Sequence, residues 1–282
     1  MIEILKAILF GIVEGITEWL PISSTGHMIL LDEFVKLNVS KEFWDLFLVV
    51  IQLGAIMAVV ILFWHKIWPF NFTHKEEGGV VKIPVIILWI KIVVACVPAA
   101  IVGVLFDDFL EEHLYNFPVV SAMLIIFGVL FIVVERKNAG KKPKIRQLSE
   151  ITYQTALMIG LFQLIAAIFP GTSRSGATII GALMIGVSRT VAAEFTFFLA
   201  IPVMFGASLL KVVKYVAEVG LVFSGTEVAV LIMGVLVAFF VSLFVIKFLM
   251  GYIKKNNFIP FGWYRIVLGG ILLVYYAVAY LI

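Results

Sequence analysis

The chain has little of what a water-soluble protein needs. Of its 282 residues only 14% are charged while 63% are hydrophobic, and mean hydropathy is +1.14. That balance excludes an ordinary soluble domain, in which about a quarter of residues carry charge. Cysteine is nearly absent as well. The single Cys96 rules out an intramolecular disulfide, gives no reading of redox compartment or thiol chemistry, and is expected to pack within its apolar segment. A cleavable leader is not expected either, because Glu3, Glu14 and Glu18 interrupt the first apolar run. The segment is therefore kept in the mature chain.

What is present is a polar phrase written twice into apolar sequence. GIVEGITEWLPISSTGH begins at Gly11, and GLFQLIAAIFPGTSRSG begins 149 residues later at Gly160. At that offset Glu14 pairs with Gln163, Pro21 with Pro170, Ser23 with Thr172, Ser24 with Ser173 and, farther on, Asp45 with Glu194. Each copy puts proline, hydroxyls and glycine inside an apolar run, which hydrocarbon tolerates only around a protein-lined or watery cavity. Two such breaks predict one shared site.

A bilayer crossing needs about 20 apolar residues. Six runs qualify, at about 43–64, 83–104, 117–134, 190–212, 228–250 and 262–282. The other apolar pieces come in broken pairs, 2–20 with 26–36 and 152–169 with 175–187, whose second members are too short to span. The expectation is an all-α polytopic membrane protein with six full transmembrane helices and two re-entrant helical hairpins meeting near midplane. The hairpins occupy 2–36 and 152–187, each followed by three spans, in a single membrane domain of two halves, 1–150 and 151–282. Three is odd, so the second half enters upside down: an inverted-topology repeat.

Loop charge predicts orientation. Loops 65–82, 135–151, 187–189 and 251–261 carry twelve Lys and Arg, six of them (Arg136, Lys137, Lys141, Lys142, Lys144, Arg146) in one run. Loops 32–42, 105–116 and 211–227 carry four, Lys36, Lys41, Lys211 and Lys214, beside acids such as Asp107, Asp108, Glu111 and Glu112. The basic side is expected to be cytoplasmic, leaving both termini and the mouth of the first hairpin extracytoplasmic. The basic run serves first as this orientation signal, with contact to lipid headgroups as an added role.

The chemistry follows from residue types. Glu14 and Glu18, four apart, share a helix face and can jointly hold a divalent cation or act as a base. Two buried carboxylates call for a cation, an arginine or a shared proton; the plain alternative is that they bond neighbouring hydroxyls. After Pro21, Ser23, Ser24, Thr25 and Gly26 supply hydroxyls and amides at the start of a half-helix, a setting that binds anions, with His27 in its first turn able to move a proton, contact phosphate or simply stay bonded. The second break adds Arg174 among Gly171, Thr172, Ser173, Ser175 and Gly176. Its planar fork matches phosphate oxygens and equally matches Glu14 or Glu18. Together these groups point to phosphoryl transfer, in which positioning and charge neutralisation dominate. Elsewhere, Asp45 and Glu194 are expected to brace or cap, Lys91 and Arg265 to snorkel or pair, and Gly103, Gly128, Gly206, Gly234, Gly269 and Gly270 to pack helices. Trp64 and Trp68 fit an interfacial anchor.

EGITEWLPISSTGH from Glu14 and PGTSRSGAT from Pro170 resemble the two signature blocks of the bacterial undecaprenyl-diphosphate phosphatase family of the bacitracin-resistance type. The likeness continues through IQLGAI at 51, PAAIVG at 98, GVSR at 186, EF at 194, IPF at 259 and YRI at 264. The resemblance implies an enzyme of the bacterial plasma membrane that hydrolyses undecaprenyl diphosphate to the monophosphate and inorganic phosphate, recycling the carrier for peptidoglycan synthesis. It implies Glu14 and Glu18 as catalytic or metal-holding carboxylates, Ser24 as nucleophile or phosphate ligand, His27 in proton transfer, Arg174 as phosphate clamp, and magnesium or calcium as cofactor. The nucleophile stays open among Ser24, His27 and water. The polyprenyl lipid and the bilayer are the expected partners, nucleic acid is not, and a homodimer is left open. The competing architecture-based reading is a transporter or flippase of a lipid phosphate or small anion. Against a symmetric carrier, Glu14, Glu18 and Thr25 become Gln163, Ala167 and Arg174 in the second copy. A structural envelope protein would leave the buried charges without a purpose.

Overall fold

A computed structural model describes residues 1–71, 80–220 and 222–280, apart from the side chains of residues 107, 108, 111 and 280. Asp107, Asp108 and Glu111, which entered the charge comparison, thus lie outside the described side chains, as do the last two residues of the sixth expected span. Among the described residues the regular structure is helical: α1 (Ile2–Thr17), α2 (Ser24–Phe34), α3 (Lys41–Leu62), α4 (Trp64–Ile67), α5 (Ile83–Leu114), α6 (Phe117–Asn138), α7 (Tyr153–Ile168), α8 (Arg174–Met184), α9 (Arg189–Glu218), α10 (Gly225–Tyr252) and α11 (Ile259–Tyr280). Six of these, α3, α5, α6, α9, α10 and α11, are long and apolar enough to cross a bilayer. They coincide with the six expected runs. The expected loops at 105–116 and 211–227 are shorter than their polar composition suggested, because α5 and α9 continue through Leu114 and Glu218.

The helix starts follow local chemistry. Ser40, Asn116, Thr152, Ser188 and Ser224 each accept a hydrogen bond from the backbone N–H three residues on, and Glu227 completes a capping box with Ser224. Proline stands in the first turn of α5 and α6, where its missing N–H costs nothing.

Packing pairs the halves crosswise. α1 lies along α10 and α7 along α5, while α3 packs on α9 and α6 on α11. Glycine makes the closest approaches. A Cβ on Gly160 would sit 2.3 Å from the Ala95 carbonyl oxygen, one on Gly54 2.3 Å from that of Val235, and Gly128 and Gly262 face each other's carbonyl at 2.7 Å. Of the glycines singled out above, Gly128, Gly234 and Gly269 are packing contacts, but Gly103, Gly206 and Gly270 face open space. The sequence does not separate these two sets, since composition does not say which face of an all-apolar helix meets a neighbour.

The connections fall into two groups. Lys6 Nζ donates to Lys36 O and Asn38 N to Glu3 Oε2, so the start of α1 is tied to the end of α2. Residues from 41–46, 112–115 and 211–218 line one pocket of about 590 Å³. In the other group, Lys144 N donates to Gly186 O and Ser188 N to Ile145 O, tying the approach to α7 to the end of α8. There Lys66 pairs with Glu194 at 2.8 Å, and buried Glu135 receives both the Arg189 guanidinium and Phe258 N–H. Glu194 thus ties α9 to α4 rather than bracing either helix pair at the breaks, and Ser188, not Glu194, caps its helix. Trp64 and Trp68 stack at 4.3 Å beside this group, and Cys96 is half-buried against the main apolar core.

Gly160→Ala is expected to destabilise by roughly 1–3 kcal/mol through overpacking, whereas Gly103→Ala, facing open space, is expected to be neutral or slightly stabilising. Thermal unfolding of both in one detergent checks this; equal unfolding temperatures would contradict the close approach of α7 to α5.

Candidate functional site

α1 ends at Thr17 with Glu18 still in helical geometry, and the chain then turns through Pro21. α7 ends at Ile168 and turns through Pro170. The next helices begin identically. Ser23 and Ser173 cap α2 and α8 with φ of 73° and 69°, each accepting from the N–H of the glycine three residues on, Gly26 at 3.3 Å and Gly176 at 3.1 Å. Positive φ at a non-glycine residue costs on the order of 1–3 kcal/mol and marks a conformation imposed by its surroundings.

These caps correct the pairing of the two copies. By geometry Ser23 corresponds to Ser173, not Thr172, so the copies slip by one residue across the break, and Arg174 corresponds to Ser24, not Thr25. The two first residues of the half-helices then converge on one carboxylate. Ser24 Oγ donates to Glu18 Oε2 at 2.7 Å, and Arg174 Nη2 donates to Glu18 Oε1 at 2.7 Å. The ion pair is largely sequestered, with side-chain exposure of 8% for Glu18 and 13% for Arg174. Ser175 Oγ donates to the Glu18 carbonyl at 3.2 Å and lies 3.2 Å from Ser173 Oγ. Arg174 Nη1 reaches Thr196 O on α9, and Thr178 meets the Thr196 hydroxyl. Of the expected site, then, Glu18, Ser24, Arg174, Ser173 and Ser175 form one bonded group.

The others stand apart from it. Glu14 is fully buried one turn before Glu18, but among the described residues its Oε1 has no partner; the same holds for the Thr172 hydroxyl, for Arg174 Nε and for both polar atoms of the Gln163 amide. Buried polar atoms without partners are costly, and around a phosphate site they are the atoms a bound group would engage. His27 does not touch Ser24 or Glu18: Nδ1 lies 2.7 Å from Ser23 O and Nε2 2.6 Å from Tyr264 Oη. Thr25 and Gly26 complete the first turn of α2, and Gly171, with φ of 86°, presses on the Val120 backbone, where a Cβ would clash at 2.5 Å. Asp45 lines the separate 590 Å³ pocket.

Sequence reasoning missed the role of Arg265. It is fully buried, and its guanidinium neither snorkels nor pairs with an acid. It donates instead to backbone carbonyls: Gly171 O at 2.9 Å and Thr172 O at 2.8 Å from the second break, Pro21 O at 3.3 Å from the first, and Leu124 O and Met123 O of α6 at 3.4 Å. The available signal was an arginine inside an apolar span. Its neighbour Tyr264, also missed, carries no comparable signal. Lys91 is buried and reaches Ser149 O at 3.5 Å.

A divalent cation fits this donor set only in part. Among the described residues no three His, Cys, Asp or Glu side chains form a metal-holding cluster. Glu14 has a free buried oxygen beside Glu18, which suits an ion completed by phosphate oxygens and water rather than a protein cage.

Fold and site define a multi-pass α-helical membrane protein with a carboxylate, a hydroxyl and a guanidinium gathered where two helix pairs break. A family model described as "Bacitracin resistance protein BacA" matches residues 7–271, and the chain belongs to that family. It is similar to a protein named undecaprenyl-diphosphatase from Desulfitobacterium hafniense, 63% identical over 277 residues and covering 98% of this chain and 97% of the relative. It is also similar to undecaprenyl-diphosphatase 1 of Clostridium acetobutylicum, at 61% with 98% of each chain covered, and to an undecaprenyl-diphosphatase of Enterococcus faecalis, at 58% with the same coverage.

Arg265→Lys keeps the charge but not the fork that reaches both breaks. With several buried carbonyls losing donors it is expected to cost roughly 3 kcal/mol or more. A thermal unfolding temperature equal to the parent's would show that those carbonyls are satisfied without the guanidinium.

Proposed function

We propose that this protein hydrolyses undecaprenyl diphosphate to undecaprenyl phosphate and inorganic phosphate, returning the carrier to peptidoglycan synthesis and so conferring resistance to bacitracin. The observation that carries the chemistry is the double hold on Glu18 by Ser24 and Arg174. A hydroxyl bonded to a carboxylate is a nucleophile with its base in place, and a guanidinium beside it is a phosphate clamp held by a resting ion pair. Arrival of the diphosphate draws Arg174 from Glu18 to the phosphate oxygens. Ser24 Oγ attacks the terminal phosphorus and its proton passes to Glu18. The bond from that phosphorus to the bridging oxygen breaks, and undecaprenyl phosphate leaves. Water then cleaves the Ser24 phosphoester, one of its protons restoring the hydroxyl while Glu18 releases the proton it had taken. His27, with both nitrogens engaged elsewhere, is not the nucleophile. Ser23, Thr25, Thr172, Ser173 and Ser175, with Gly171 shaping the turn and the N–H groups of Gly26 and Gly176 holding the two caps, form the phosphate cradle. Glu14 and Glu18 are the residues that would hold magnesium or calcium, which neutralises phosphate charge when bound.

The architecture we infer is the inverted-topology repeat, with α1–α2 and α7–α8 as re-entrant hairpins whose tips meet near midplane. The crosswise packing of α1 on α10 and α7 on α5, and the ties that close each pair at its own base, support it. Halves 1–150 and 151–282 then build one site and one domain. The basic loops are cytoplasmic, and the termini and catalytic mouth extracytoplasmic. A transporter is not favoured, because the two tips are chemically unlike: one brings acids and a hydroxyl, the other an arginine.

Phosphate release from undecaprenyl diphosphate by the purified protein tests the activity. Glu18→Gln, Ser24→Ala and Arg174→Ala, at equal folded yield, are each expected to lose about 100-fold or more, and a chelator is expected to suppress the parent. No release from folded parent across several lipid diphosphates and divalent ions defeats the reading. For orientation, in a Cys96→Ala background, Lys214→Cys is expected to react with an impermeant maleimide in intact cells and Lys142→Cys only after lysis; the reverse pattern inverts the topology.

A further inference from the structure

α11 supplies two consecutive residues to the region of the breaks. Arg265 holds the backbone of both, and Tyr264, half-exposed on the adjoining face, meets His27. The two rings stack with an interplanar angle of 6° and centroids 5.6 Å apart, and the Tyr264 hydroxyl lies 2.6 Å from His27 Nε2. On the other side of the imidazole, Nδ1 lies 2.7 Å from Ser23 O. A carbonyl oxygen only accepts, so Nδ1 carries the hydrogen, and a neutral ring then leaves Nε2 as an acceptor for the tyrosine O–H.

We propose that Tyr264 is a positioning residue for the phosphatase site, holding in place the ring of His27, whose Nδ1–H tautomer the Ser23 carbonyl selects, with Nε2 kept as a proton acceptor at the edge of the first phosphate cradle. This rests on the phosphatase reading and adds to it. Ser23 O is the carbonyl of the strained residue that caps α2, so the histidine bond also steadies the cap whose next residue, Ser24, is the nucleophile. The fixed tautomer decides what His27 can do: its Nε2 lone pair is held by the Tyr264 hydroxyl at rest and can take up a proton only when that hydroxyl gives way. In the alternative tautomer Nε2 would itself be a donor, and Nδ1 would set a lone pair against the Ser23 carbonyl, which would keep only the His27 backbone N–H at 3.4 Å. An aromatic stack alone explains neither the short hydroxyl contact nor the carbonyl on the opposite nitrogen.

Nitrogen NMR of protein labelled with ¹⁵N-histidine tests this without turnover. The chain has four histidines, and subtraction of a His27→Gln spectrum assigns the one of interest. The parent is expected to show protonated Nδ1 and unprotonated Nε2 in a single ring. Tyr264→Phe, which keeps the ring and the packing, is expected to leave Nδ1 protonated, to shift the Nε2 resonance through loss of its hydrogen-bond donor, and to give a roughly 10-fold lower kcat with KM changed less than about twofold. A parent His27 with protonated Nε2, or a Tyr264→Phe variant with an unchanged Nε2 resonance and unchanged kcat, overturns the proposal and leaves the phosphatase reading standing. A folded parent that hydrolyses no lipid diphosphate defeats the phosphatase reading and with it the positioning role, whatever the nitrogen spectrum shows.

Discussion

Everything at the centre of this protein depends on a positive charge that meets no carboxylate. Breaking two helices in apolar surroundings strands carbonyl groups that no water is at hand to satisfy. Arg265 answers both breaks at once, with all its hydrogen bonds accepted by backbone oxygens, three of them from Pro21, Gly171 and Thr172 just past the ends of α1 and α7. A cation is favoured at the carboxyl ends of helices, where the aligned peptide dipoles are negative. The guanidinium thus offsets its own burial against dipoles instead of against an acid. That choice has a chemical consequence, because it leaves Glu18 free for Ser24 and Arg174. Had Arg265 taken Glu18, the Ser24 hydroxyl and Arg174 would have had to share that carboxylate with a third partner.

The one-residue slip between the copies turns a repeated fold into an asymmetric site. In both, a serine with positive φ caps the half-helix, and the first helical residue points to the same place. In one copy that residue is Ser24, in the other Arg174, and both end on Glu18 at the same 2.7 Å distance. Glycine would adopt positive φ with less strain, but it would forfeit the hydroxyl that accepts the Gly26 or Gly176 N–H. The strain is thus retained where the hydroxyl has a use. Strained residues gather where geometry has to be held against its own preference.

Much of this was legible in the sequence. Six apolar runs and two broken pairs locate the helices, because length and hydropathy are what a bilayer selects, but the far ends of α5 and α9, at Leu114 and Glu218, lie beyond the apolar runs at 83–104 and 190–212. Glu18, Ser24 and Arg174 stood out since charges and hydroxyls inside apolar runs are expensive and need a reason. Other features were not legible. Residue identity at a fixed offset paired Ser23 with Thr172, whereas the backbone turn that decides the true correspondence has no residue signature beyond serine itself. Gly103 and Gly160 look alike as letters, and only the approach of α5 to α7 separates a contact from an open face. Arg265 was seen as an oddity, but its partners are carbonyls, which every residue has and no sequence pattern marks.

The atoms left without partners show where the site has room to change. Glu14 Oε1, Thr172 Oγ1, Arg174 Nε and the Gln163 amide are buried and, among the described residues, unpaired, while Arg265 holds the carbonyls of Pro21, Gly171 and Thr172 beside them. A fold that can satisfy five carbonyls with one arginine does not leave such groups idle for want of hydrogen-bond donors. They differ between the two helix pairs: a carboxylate oxygen on one, and on the other a guanidinium N–H, a hydroxyl and an amide that can both donate and accept. A carrier that passes its cargo through unchanged would not need the two sides to differ in this way. A hydrolase does, since it must bind the anion on one side and hold a base on the other.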